Sequence, residues 1–156
     1  MPVEKLHITT VSSTTQLLAV MILGLVAGAA VSLVTVHFLD RGVNPLSEAV
    51  SDYGAREYAW FYRLTAIWLG LAGLLTAVML GDAIFPKPTW TILLLLVFAA
   101  VRGAITIFPT DIEGEESASV GRAHFVLAVI AFASIAIAAG TFAEIVHLDP
   151  FWKPHL

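Results

Sequence analysis

Four apolar runs separated by polar connectors constrain this chain more than any other feature. They cover about 17–39, 60–80, 90–108 and 125–145. A helix that crosses a bilayer needs roughly 20 predominantly apolar residues, and each run has about that length. The expected fold is therefore all-α: an integral membrane bundle of four transmembrane helices. Composition points the same way. The chain is 58% hydrophobic and 13% charged, with a mean hydropathy of +0.87, whereas soluble domains are roughly 25% charged. A net charge of −4 offers no basic surface to nucleic acid. Cysteine is absent, which excludes disulfides, thiolate metal sites and a cysteine nucleophile.

The first run reads as a retained helix and not as a signal peptide. Its apolar stretch is too long, only Lys5 precedes it as a lysine, and no small-residue cleavage site follows. Four crossings place both termini on one side and the 40–59 and 109–123 connectors on the other. The lysines Lys5, Lys87 and Lys153 all fall on the terminal side, which favours cytoplasmic termini. Arg63 and Arg102 fall inside spans and are not ordinary orientation signals.

Three regions are expected: a polar lead (1–16), the transmembrane domain (17–145) and a short tail (146–156). Asn44-Pro45 reads as a cap followed by proline at a first helical position, and Gly54 as a stop. That predicts a short interfacial helix over about 45–53. The 81–89 connector is a turn with two prolines. Trp60, Phe61, Tyr62 and Trp90 mark span edges as a headgroup-level belt, while Trp68 is deep enough to be packing. Gly24 with Gly28, Gly70 with Gly73, Ala99 with Gly103, and Ala136 with Gly140 are candidates for close helix contacts. Leu93–Leu96 suits a face turned to lipid or to a partner.

The connectors on the non-terminal side bring chemistry-bearing residues to one end of the bundle. Arg102 lies six residues before Phe108, so it sits roughly 9 Å inside the boundary. Such a charge is a functional candidate by default, as an anchor for an anionic group or as an ion-pair partner of Asp52, Asp111 or Glu57. Arg63, one turn inside the second span, is explained by snorkelling or by a share in the same site. His124 with Asp111 or Asp52 is a reasonable general base or proton shuttle. His37, His124, Asp40, Asp52 and Asp111 together offer histidine and carboxylate ligands, but no H-x-x-x-H or H-E-x-x-H spacing supports a metal, and none is assigned. Ser51 lacks a nucleophile elbow. With Tyr53 it reads either as a turn or as part of a ligand-binding surface. The candidate set is thus Asp52, Asp111 and His124 for catalysis, and Arg102, Arg63, Ser51 and Tyr53 for ligand binding. No cofactor is indicated.

The run Asn44-Pro45-Leu46-Ser47-Glu48-x-x-Ser51-Asp52-Tyr53-Gly54 is followed by a glycine-rich second span. After the third span comes Phe108-Pro109-Thr110-Asp111, then Gly121-x-x-His124. This pattern resembles the domain-of-unknown-function 998 family of prokaryotic integral membrane proteins. The resemblance covers roughly Leu17 to Ile145, and Phe-Pro-Thr-Asp with the following histidine is its most specific part. It implies a multi-pass helical fold in the prokaryotic inner (plasma) membrane and picks out Ser51, Asp52, Gly54, Pro109, Asp111 and His124. It implies no reaction. The departure is length: about six spans in the family against four here, which leaves room for another copy or another protein.

Two functions follow as expectations. The first is a binding or accessory subunit of a membrane complex with a polar site at one membrane face, associating with other membrane subunits or with itself. The alternative is a membrane-embedded enzyme acting on a lipid or other amphipathic substrate through Asp52, Asp111, His124 and Arg102. A proton-linked transporter ranks below both, because only Arg102 comes near the midplane.

Overall fold

A computed structural model describes residues 7–8, 12–44, 46–85, 87–108, 110 and 119–148. Its elements run β1 (His7–Ile8), α1 (Ser13–Leu39), a 3-10 helix (Val50–Ala55), α2 (Ala59–Ala83), β2 (Ile84–Phe85), α3 (Thr89–Ile105) and α4 (Ser119–Leu148). Three helices (α1, α2 and Ser119–His147 of α4) are long and apolar enough to cross a membrane, and α3 is a shorter apolar helix. The chain is an integral membrane protein with a helical bundle fold.

The helix ends explain where the sequence reading shifts. α1 starts inside the expected polar lead because Ser12 caps it: its hydroxyl accepts from the Thr15 backbone N–H at 3.1 Å. α3 ends at Ile105 and not at 108. The Thr106 hydroxyl donates to the Gly103 carbonyl at 2.7 Å and so draws the last turn closed. The interfacial helix expected over 45–53 is replaced by two smaller pieces. One turn is held by Asn44, whose side chain accepts from Leu46 N–H at 3.0 Å while its carbonyl accepts from Glu48 N–H at 2.9 Å. The backbone then extends at Ala49 before the 3-10 helix begins. An aspartate or asparagine that bonds its own nearby backbone competes with continued helix in this way.

Each helix packs mainly on the one before it: α1 on α2, α2 on α3, α3 on α4. Small residues set the spacing. Gly28 of α1 lies under the Trp68 ring, where a Cβ would come within 2.6 Å of it. Trp68 is thus the packing residue its depth suggests. Gly70 meets the Ala99 carbonyl and the Arg102 Cβ, and Gly73 meets the Phe98 ring. On α4 the expected pair is not the seam. A Cβ at Gly140 would meet nothing within 4 Å, and the buried positions are Gly121, His124, Ala131, Ser134 and Ala138. Spacings of three, four and seven carry that stripe along one helix face. Leu93 and Leu96 are exposed as expected, but Leu95 is buried. Side-chain hydroxyls join α1 to α2: Ser32 donates to the Phe61 carbonyl at 2.9 Å, and Thr65 to the Ala29 carbonyl at 3.3 Å. The pairing of such groups across helices suits an apolar surrounding.

Two cores result. One lies at the end formed by the 3-10 helix and contains Val36, Val43, Tyr53, Tyr62, Ala66 and Ile105, with Leu127 and Ala128 of α4 against it. It draws on all four helices. The other lies toward the opposite end and contains Ala77, Leu80, Ile84, Leu95 and Ala138, with no residue of α1. There, β1 pairs antiparallel with β2, His7 opposite Phe85 and Ile8 opposite Ile84. This pairing ties the N-terminal segment to the α2–α3 connector and puts both at the same end of the bundle.

Candidate functional site

Tyr62 is the centre of the polar end. Its ring rests on Gly54 of the 3-10 helix, so closely that a Cβ there would lie 2.8 Å from Tyr62 Cδ1. The Arg102 guanidinium donates to the Tyr62 hydroxyl, and the Asp52 carboxylate is near enough to act on it electrostatically. The His124 ring lies 6.4 Å from the Tyr62 ring, centroid to centroid, at 34°. Tyr62 is 8% exposed, Asp52 7% and His124 3%. The 3-10 helix, α2, α3 and α4 each contribute one of these four side chains.

His124 is fixed from one side. Its Nδ1 lies 2.7 Å from the Phe108 carbonyl oxygen. A carbonyl only accepts, so Nδ1 carries the proton, and in the neutral ring Nε2 holds the lone pair. That Nε2 is buried without a hydrogen-bond partner. Nε of Arg102 and Nε of Arg56 are likewise buried and unpartnered. Buried polar atoms in folded proteins nearly always have partners, so three exceptions at one end of one small bundle form a group worth explaining.

Arg102 is half-buried in the last turn of α3. Because that helix stops at Ile105, the arginine is about 4.5 Å from the helix end, shallower than the roughly 9 Å expected from a span reaching 108. A cation in a last turn also faces the negative end of the helix dipole.

The remaining candidates divide. Tyr53 is buried and shares a hydrogen bond of 2.7 Å with His37 Nδ1. Burial raises its phenol pKa above the ordinary 10.0, and the nearby Asp40 and Glu48 carboxylates add to the rise, against a smaller lowering by Arg56. This pair is structural in its geometry: it fastens the 3-10 helix to the end of α1. Ser51 is half-buried in the same 3-10 helix. Arg63 is exposed on α2, outside the buried group. Arg56 is half-buried over Gly42, beside Asp40. Asp111 and Pro109 lie outside the described residues, so the Asp111–His124 pairing is not among the contacts described. No cluster of three histidine or carboxylate residues fit for a metal occurs among the described residues.

Tyr62 is the residue that sequence reasoning assigned elsewhere. In the run Trp60-Phe61-Tyr62 it looked like one more interfacial aromatic. The signal that distinguishes it is register. Ala66, Gly70, Gly73 and Ala77 form the buried small-residue face of α2, and Tyr62 sits on that face one turn earlier. Trp60, by contrast, is exposed and stacks on Phe61 at 3.7 Å.

A family model described as "Protein of unknown function (DUF998)" matches residues 21–153. No curated protein and no solved structure matches the chain.

Proposed function

Since the chain belongs to the DUF998 family, whose description names no activity, we propose a function from its polar end: a binding or accessory subunit that holds an anionic, oxygen-bearing group at one membrane face. The observation that supports this is the set of buried, unpartnered nitrogens of Arg102, Arg56 and His124. Leaving a buried polar atom unsatisfied costs about 1–3 kcal/mol. The Arg102 guanidinium and the His124 imidazole acceptor beside Tyr62, with the Arg56 guanidinium over Gly42 at the same end, match a group that carries both anionic oxygens and a hydroxyl. Their cost is offset when such a group binds.

Gentle extraction from native membranes, followed by mass spectrometry for lipids, metals and partner chains, tests the reading. The wild type is expected to carry a bound anionic group that Arg102→Ala and His124→Ala lose while keeping their helical content. Retention of the same group by both variants sinks the idea.

A second reading is favoured by one feature only. With Nδ1 committed to Phe108, the free Nε2 lone pair of His124 has the form of a general base. A membrane-embedded enzyme acting on a lipid or other amphipathic substrate, using His124 with Asp52, Asp111 and Arg102, is the corresponding function. Turnover of the co-purified molecule that His124→Gln abolishes without loss of binding distinguishes enzyme from binder.

A further inference from the structure

The polar end continues into an apolar groove on the outer seam between α2 and α3. The groove is about 360 Å³ and is lined by residues including Gly70, Leu71, Leu74, Leu96, Ala99 and Gly103. The two features share a residue contact: Gly70, in the groove wall, abuts the Cβ of Arg102. Arg102 is also the residue whose Nε is buried without a partner and whose guanidinium reaches Tyr62. Beside the Tyr62 ring lies His124, 97% buried with its own unpartnered Nε2. The groove wall at Gly70 and Gly103 therefore lies against the stem of an arginine that has one unpartnered nitrogen.

We propose that this groove seats one acyl chain of an anionic phospholipid, with the headgroup phosphate held at Arg102. The proposal rests on the reading of the polar end as a binding site and names its ligand class. Size separates this occupant from a second copy of the chain. The groove follows α2 from Ile67 to Leu74, about 10 Å of helix. A helix is about 10–12 Å across, so a second copy would lie over the seam and leave the groove itself unfilled. A single acyl chain is thin enough to lie in it. Charge selects the head: a phosphate diester presents anionic oxygens to a guanidinium in the geometry arginine favours, while a zwitterionic headgroup brings a cation of its own.

The test uses the full chain in detergent, exchanged against phosphatidylglycerol or phosphatidylcholine, with retained lipid counted by native mass spectrometry. The wild type is expected to retain one phosphatidylglycerol about fivefold over phosphatidylcholine, since one arginine is worth about 1 kcal/mol against anionic lipid. Gly103→Phe adds a ring at a residue that lines the groove, where the Cβ itself meets nothing within 4 Å. It is expected to lose the retained lipid. Gly140→Phe, at an equally open glycine on α4, is expected to keep it. If Gly103→Phe retains lipid as the wild type does while Arg102→Ala loses it, the groove assignment is overturned and the polar site stands. If neither variant loses it, both fall. Inorganic phosphate, titrated by ³¹P NMR, serves as the soluble arm. Binding of phosphate without retention of phospholipid identifies a free anion and overturns the lipid assignment, as does a lipid-free dimer that Gly103→Phe dissociates.

Discussion

The Nδ1 of His124 lies 2.7 Å from the carbonyl oxygen of Phe108, and this one bond decides which imidazole nitrogen can do chemistry. It joins the first turns of α4 to the end of the α3 segment and turns the Nε2 lone pair inward. In ¹⁵N spectra of the histidine-labelled protein at neutral pH, the neutral form of His124 is therefore expected as the Nδ1–H tautomer. An Nε2–H signature for this residue contradicts the assignment. His124→Leu leaves the half-buried Phe108 carbonyl without its donor and is expected to cost about 1 kcal/mol of stability in detergent unfolding.

The glycines of the bundle divide into those that admit a neighbour and those that face open space. Gly54→Ala drives a methyl into the Tyr62 ring, and overpacking of that kind costs about 1–3 kcal/mol. Gly140→Ala meets nothing and should stabilise α4 by about 0.5–1 kcal/mol through helix propensity. Thermal unfolding of the two variants side by side gives opposite shifts. Shifts of the same sign would contradict the packing described for Gly54.

Tyr53 sets an alkaline limit on the 3-10 helix. Its folded pKa is raised above the ordinary 10.0, first by burial and then by Asp40 and Glu48. The fold thus favours the neutral phenol. That contribution is complete below pH 10 and is lost as pH rises through the folded value. Phenolate absorbance near 295 nm is expected to show a step above pH 10 that Tyr53→Phe removes. Loss of amplitude from the earlier tyrosine phase, with the late step intact in Tyr53→Phe, shows that Tyr53 ionises with the other tyrosines.

The pairing of His7–Ile8 with Ile84–Phe85 predicts slow hydrogen exchange at the connector end. Deletion of residues 1–9 is expected to speed exchange at Phe85, while Ile84, whose N–H donates to the Leu80 carbonyl, and the bodies of α2 and α3 stay the same. No change at the connector means that the pairing does not persist in solution.

Much of the bundle was legible because its causes are local. Length and continuous apolarity suffice for a span, and three connectors between four apolar helices fix which ends meet. That is why Asp52, Arg102 and His124 were expected at one end, where they are found. The misreadings lie where one sequence pattern serves two surroundings. Tyr62 follows Trp60 and Phe61, and an aromatic at a span edge looks alike whether it meets headgroups or a buried arginine. Ala136 and Gly140 have the small-residue spacing of a helix contact but face outward, because His124, Ala131 and Ala138 already occupy the seam with α3. The end of α3 was set by the Thr106 hydroxyl, a single hydrogen bond that apolar counting passes over. The β pairing joins residues 76 and 78 positions apart and has no local signature.

Packing of each helix chiefly on its predecessor bears on how the protein is made. A helix leaving the translocation machinery finds its docking surface already in the membrane, and every seam closes over one connector. Contacts of short sequence separation form early and carry a small loop-closure penalty. Assembly can therefore advance in the order of synthesis, with the polar end completed last, when α4 arrives and brings His124 against Phe108 and Tyr62.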